Sequence, residues 1–101
     1  MSTHKVGQTA KGSRVWLQNL SRYRCRRHTP RGWAEGQHYS LKVNKQTIVI
    51  TADPEGRKRV SKHKGGIIDL TGKWVTEWAQ GCTEVTVTFT EGRIEIRKVA
   101  P

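Results

Sequence analysis

Two stretches of this chain carry the same pattern, and that repetition limits the fold more than any other feature. Trp33-Ala34-Glu35-Gly36 matches Trp78-Ala79-Gln80-Gly81 at an offset of 45 residues. Each is followed by an alternating apolar run, Tyr39, Leu41 and Val43 in the first case and Val85, Val87 and Phe89 in the second. A turn comes next, Asn44-Lys45-Gln46-Thr47 or Glu91-Gly92. A second alternating run then places Ile48 and Ile50 against Ile94 and Ile96, at an offset of 46. Alternation with period two is the mark of a strand with one buried face, and two such runs around a tight turn form a hairpin. Self-similarity in helix end, strand parity and turn together points to duplication of one supersecondary unit.

The second copy reads as β-α-β-β. Gly66-Ile67-Ile68-Asp69-Leu70 is a short apolar strand. Thr71 is placed to cap a helix running through Gln80, with Trp74 and Trp78 at i, i+4 on one face beside Val75. Gly81 ends it. The first copy opens on Val15-Trp16-Leu17, and its path to Trp33 is about seven residues longer than the equivalent path in the second copy. Thr29-Pro30 in that insertion reads as a cap and first-turn proline of a short helix. The organisation expected is a basic disordered tail over 1–13, a first unit over 14–52, a basic linker over 53–65 and a second unit over 66–101. All four tryptophans, Trp16, Trp33, Trp74 and Trp78, are expected in the core. The fold class is α+β and β-rich, with the two units joined in one pseudo-symmetric domain. With 101 residues in all, neither unit alone is large enough to hold a core.

Charge is distributed as unevenly as the repeat is regular. The formal net charge is +11. Residues 1–64 hold 15 basic and 3 acidic side chains, whereas 65–101 hold 4 and 5. Two clusters stand out. Arg22, Arg24, Arg26, Arg27 and Arg31 fill the insertion of the first unit. Arg57, Lys58, Arg59, Lys62 and Lys64 fill the linker, after an Asp53-Pro54-Glu55-Gly56 turn and between glycines, so this second run is expected to be mobile. A one-sided field of this kind attracts a polyanion. Arginine makes bidentate phosphate contacts and reads guanine edges, and Tyr23 among the arginines offers a stacking face. These ten residues are the candidate nucleic-acid contacts, with DNA favoured over RNA.

Other chemistries find little to work with. Cys25-x-x-His28 is a single ligand pair where zinc sites use two, and no phosphate loop, nucleophile elbow or paired acids are present. The chain is expected to be a binding protein rather than an enzyme, with no metal or cofactor. Cys25 and Cys82, 57 residues apart, are expected as free thiols in a reducing compartment. No signal peptide or membrane-length apolar run is apparent, and a bacterial cytoplasmic or nucleoid location is expected.

The run Gly66-Ile67-Ile68-Asp69-Leu70-Thr71-Gly72-Lys73-Trp74 through Gly81, followed by the hairpin Val85–Ile96, resembles the AbrB/MazE/SymE swapped-hairpin superfamily, closest to its SymE toxin-like branch. The resemblance covers residues 14–52 and 66–98. It implies two units interleaving their hairpins into one barrel, here as a monomeric pseudo-dimer or a homodimer, and it implies DNA binding by a transcription regulator or architectural factor. Two alternatives stay open: a phage or mobile-element inhibitor that binds a host protein, and an RNA-binding toxin like those of the SymE branch.

Overall fold

In a computed structural model, the structure describes residues 2–18, 20, 33, 36–61, 65–90 and 92–99. Nine strands and one helix are present among them: β1 (Ser2–Lys5), β2 (Gly7–Thr9), β3 (Gly12–Leu17), β4 (His38–Val43), β5 (Thr47–Ala52), β6 (Lys58–Arg59), β7 (Ile68–Gly72), α1 (Lys73–Ala79), β8 (Glu84–Thr90) and β9 (Arg93–Lys98). They form two antiparallel sheets, a six-stranded one ordered β1-β8-β9-β5-β4-β6 and a three-stranded one ordered β2-β3-β7. Neither closes into a barrel, which corrects the barrel that the family resemblance implies.

The two hairpins form where the alternation places them. In β5 and β9 the isoleucines Ile48, Ile50, Ile94 and Ile96 are fully buried, and Val85 and Val87 of β8 join them. Leu70 and Ile68 of β7, and Val15 and Leu17 of β3, form the facing layer. Val75 and Trp78 of α1 complete the core, and the helix packs on β3 and β7. β4 keeps less of its apolar face covered: Tyr39 is buried, Leu41 is half-buried and Val43 is 45% exposed.

Three expectations need correction. Residues 2–9, expected within a disordered tail, are two strands. β1 pairs with β8 from Ser2↔Val87 to Lys5↔Glu84, and β2 pairs with β3 from Gly7↔Arg14 to Thr9↔Gly12. Backbone hydrogen bonding to an open sheet edge needs no apolar side chains, so a polar segment gains order there. The helix does not start from Thr71, which lies in β7 opposite Arg14 and donates its hydroxyl to Asp69. Gly72 occupies the cap position at φ 139° with no side-chain cap. β3 also approaches closely enough there that a Cβ on Gly12 would overlap the Gly72 carbonyl. The helix terminates as read: Gln80 is left-handed at φ 48° and Gly81 follows at φ 82°. Finally, Trp16 is not in the core. It is half-buried on the outer face of the small sheet, with the Arg14 guanidinium 3.9 Å from its ring centre and its indole N–H donated to Gln18 Oε1 at 3.1 Å.

The other three tryptophans divide. Trp33 is fully buried and Trp78 is 7% exposed, while Trp74 lies half-buried against the core. Trp78 donates its indole N–H to the Asn44 carbonyl at 2.9 Å, tying α1 to the β4–β5 turn. Trp33, edge-to-face with Tyr39 at 6.3 Å, has no partner for its buried N–H among the described residues.

Candidate nucleic-acid interface

The basic linker is built onto the large sheet rather than left free. Asp53 Oδ1 accepts from the Glu55 N–H at 3.0 Å, and its carbonyl accepts from the Gly56 N–H at 2.9 Å, closing the turn the sequence signals. His38 then donates from Nδ1 to the Gly56 carbonyl at 2.8 Å. At Gly56 the returning chain presses on β4 so closely that a Cβ would overlap the Tyr39 carbonyl. The next residues pair with β4 as His38↔Arg59 and Tyr39↔Lys58. Val60 is 1% exposed and exchanges backbone hydrogen bonds with Gln37 and Gly36, both at 2.9 Å. Ser61 bridges to Ile67.

For residues 57–61 this corrects the expectation that the basic run over 57–64 is mobile. One buried valine and one glycine without a Cβ fasten it to the sheet edge. Arg57, Lys58 and Arg59 are all exposed there, and none has an ion pair among the described residues. Lys62 and Lys64 lie outside the described residues, as do Arg22, Arg24, Arg26, Arg27 and Arg31. Of the ten candidate contacts, the structure therefore brings together the three on the β6 edge.

A second set of cations escapes a search for charge runs. Cross-strand partners share a face in an antiparallel sheet, so the registers assign the side chains. One face of the six-stranded sheet carries the core. The other carries Thr3, Thr86, Arg97 and Thr47 in one row, Thr88, Glu95, Val49 and Lys42 in the next, and Thr90, Arg93, Thr51 and Ser40 in a third. His38 and Arg59 continue this face at one edge, and Lys5 and Glu84 at the other. Strand parity was the available signal, because Arg93, Glu95 and Arg97 alternate with Ile94 and Ile96. Glu95 holds both of its neighbours, at 3.3 Å from Arg93 Nη2 and 3.2 Å from Arg97 Nη2.

The described surface has two further features. On the small sheet, Arg14 forms an ion pair with Asp69 at 3.0 Å while covering Trp16. Between α1 and the β4–β5 turn runs a groove of about 630 Å³, lined by Val43, Lys45, Trp74, Glu77, Trp78 and Lys98. Lys98 is committed to the fold, donating to the Trp78 carbonyl at 2.8 Å with its ammonium 5.3 Å from the Trp78 ring centre. Among the described residues no group of three or more His, Cys, Asp or Glu side chains could hold a metal ion. Cys82 is a free thiol. No described helix is long and apolar enough to cross a membrane.

No protein-family model matches the chain, and neither a curated protein nor a solved structure matches it.

Proposed function

We propose that this is a small basic nucleic-acid-binding protein, a DNA-binding regulator or architectural factor of the bacterial cytoplasm or nucleoid that acts by binding rather than catalysis. The observation that carries the reading is the edge Arg57-Lys58-Arg59. Three consecutive exposed cations are held on a sheet edge without an acidic partner among the described residues, in a chain of net charge +11. Surface cations are commonly neutralised by neighbouring acids, as Arg14 is by Asp69, whereas the single Glu95 carboxylate shared by Arg93 and Arg97 offsets one of their two charges. A run left unneutralised and pinned in place suits phosphate contacts, which give affinity and position without reading sequence. The arginines at 22, 24, 26, 27 and 31 add the capacity for base readout.

The pseudo-dimer reading has support in the strand register. Under the 46-residue hairpin offset, Ile48 is equivalent to Ile94 and Ile50 to Ile96. In the sheet, Ile48 pairs with Ile96 and Ile50 with Ile94, about a central Val49↔Glu95 pair. Ile48 therefore faces the equivalent of Ile50, Ile50 faces the equivalent of Ile48, and Val49 faces its own equivalent, as two copies of one hairpin do across a two-fold axis. We read the chain as a duplicated β-α-β-β unit of the AbrB/MazE/SymE type, in an open two-sheet form.

A gel-shift titration with duplex DNA, single-stranded DNA and RNA at two salt concentrations tests the function. Arg57→Ala/Lys58→Ala/Arg59→Ala should weaken duplex binding for all sequences alike. It should flatten the log–log salt dependence by up to about 2.7, at roughly 0.9 per phosphate. Preference for single-stranded RNA would favour the toxin reading instead. The host-protein inhibitor is a second reading, and the groove carries it: Val43, the most exposed large apolar side chain described, lies on its rim beside Trp74. Capture of one host protein with no duplex affinity would put it first.

A further inference from the structure

We propose that the face of the six-stranded sheet on which no described element packs is a docking surface for the phosphodiester backbone of duplex DNA. This rests on the nucleic-acid reading above and says where the duplex lies. The helix and the small sheet pack on the opposite side, with the core between. Arg93 and Arg97 have side chains 52% and 57% exposed. The face presents Lys5, Lys42, Arg59, Arg93 and Arg97 against Glu84 and Glu95, five cations to two acids, with three of the cations drawn from the basic residues 1–64 and two from the nearly neutral 65–101.

The residue types decide the chemistry. Thr3, Thr47, Thr51, Thr86, Thr88 and Thr90 contribute six hydroxyls, and among the described residues of this face there is no Phe, Tyr or Trp, the one ring being the His38 imidazole at the β4–β6 edge. Threonine, arginine and lysine are groups that contact phosphate oxygens, whereas unstacked bases call for aromatic platforms. The surface therefore fits a backbone, not a splayed single strand.

The geometry fits as well. Six strands spaced about 4.8 Å apart span ~24 Å, and Arg93 and Arg97, four residues apart on one strand, are separated by ~13 Å. A duplex carries one phosphate per ~1.7 Å of axis, so ~14 charges lie along that span. Arg59 belongs both to this face and to the β6 edge, which makes the two cationic surfaces continuous.

Glu95 is the tuning residue. Its two oxygens hold the two arginines in the unliganded protein, and an approaching phosphate must compete with it. Glu95→Gln keeps the shape, removes the competitor and deletes a negative charge. A unit charge about 5 Å from a phosphate in water corresponds to roughly fourfold in affinity.

Four proteins are compared on one random-sequence duplex at 50 and 200 mM salt, with melting curves as folding controls: wild type, Arg57→Ala/Lys58→Ala/Arg59→Ala, Arg93→Ala/Arg97→Ala, and Glu95→Gln. Removing the two face arginines should lower the salt slope by about 1.8, so that between these salts wild type loses about 12-fold more affinity than the variant. Glu95→Gln should bind roughly fourfold tighter. It retains every cation, so it decides the matter should the double variant fail to fold. If wild type binds and the edge variant weakens, but Glu95→Gln and the double variant match wild type, the face is not the docking surface and the nucleic-acid reading stands. If wild type does not bind duplex at 50 mM salt, both fail. Equal displacement of the duplex by polyglutamate at matched charge would overturn the phosphodiester assignment.

Discussion

Replacing tryptophan by phenylalanine should have different consequences at the two equivalent positions of the repeat. Trp33 and Trp78 occupy the same place in the W-A-x-G motif, and both are buried. Phenylalanine at either site removes about two carbon-sized groups of buried apolar matter, worth ~0.8 kcal/mol each. At Trp78 it also removes the donor to the Asn44 carbonyl, a hydrogen bond of ~1 kcal/mol net. Trp78→Phe should therefore cost about 2–3 kcal/mol. At Trp33 the nitrogen lost is buried without a partner among the described residues, and relieving an unsatisfied donor returns about 1–3 kcal/mol. The two contributions nearly cancel, so Trp33→Phe should lie within about 1 kcal/mol of wild type. Trp33→Ala, which forfeits the whole side chain, should cost about 3–5 kcal/mol. Urea unfolding followed by far-ultraviolet circular dichroism measures all three, with unchanged m-values licensing the comparison. A difference of ~2 kcal/mol corresponds to roughly 8–16 °C in Tm for a chain of this size. If Trp33→Phe is destabilised as much as Trp78→Phe, the indole N–H of Trp33 is satisfied in solution and the reasoning fails.

Two other predictions concern the sheet edges. Gly56→Ala places a methyl group on the Tyr39 carbonyl, so it should cost about 1–3 kcal/mol and speed amide exchange at Val60 and Ser61 selectively; wild-type protection at both would refute the close approach. Burial of His4 in β1 lowers its pKa below 6.5, so the unfolded chain takes up the proton first; stability should be complete above pH 6.5 and fall as pH drops toward the folded-state value. His4→Gln should make the urea midpoint less dependent on pH between 7.5 and 5, and an unaltered dependence would show that His4 does not contribute.

Strand parity is a local property, and it was legible in the chain. Each of Ile48, Ile50, Val85, Val87, Ile94 and Ile96 is flanked by polar or half-exposed neighbours, so pleating alone assigns it to the buried face. The helix end at Gln80 and Gly81 and the turn at Asp53–Gly56 depend on residues adjacent in sequence, and they too fall where the sequence places them. What required the tertiary structure was every choice among partners distant in sequence. The polar segment 2–9 orders because β8 and β3 present free edges, a property of those strands and not of the segment. The basic run after Gly56 is fastened because Val60 finds space in a core assembled from both halves. Trp16 turns outward although it stands beside two buried residues, because Val15 and Leu17 take the one face that β3 can bury. The same logic hid the sheet-face cations. Arg93 and Arg97 share a face by strand parity but form no run, Lys42 is far from both in the chain, and only the antiparallel registers of β4, β5 and β9 bring it to their surface. Composition and periodicity thus determined which side of each strand is apolar, while the order and register of the strands decided which charges stand together, because register is set by backbone pairing between segments that local sequence cannot match to one another.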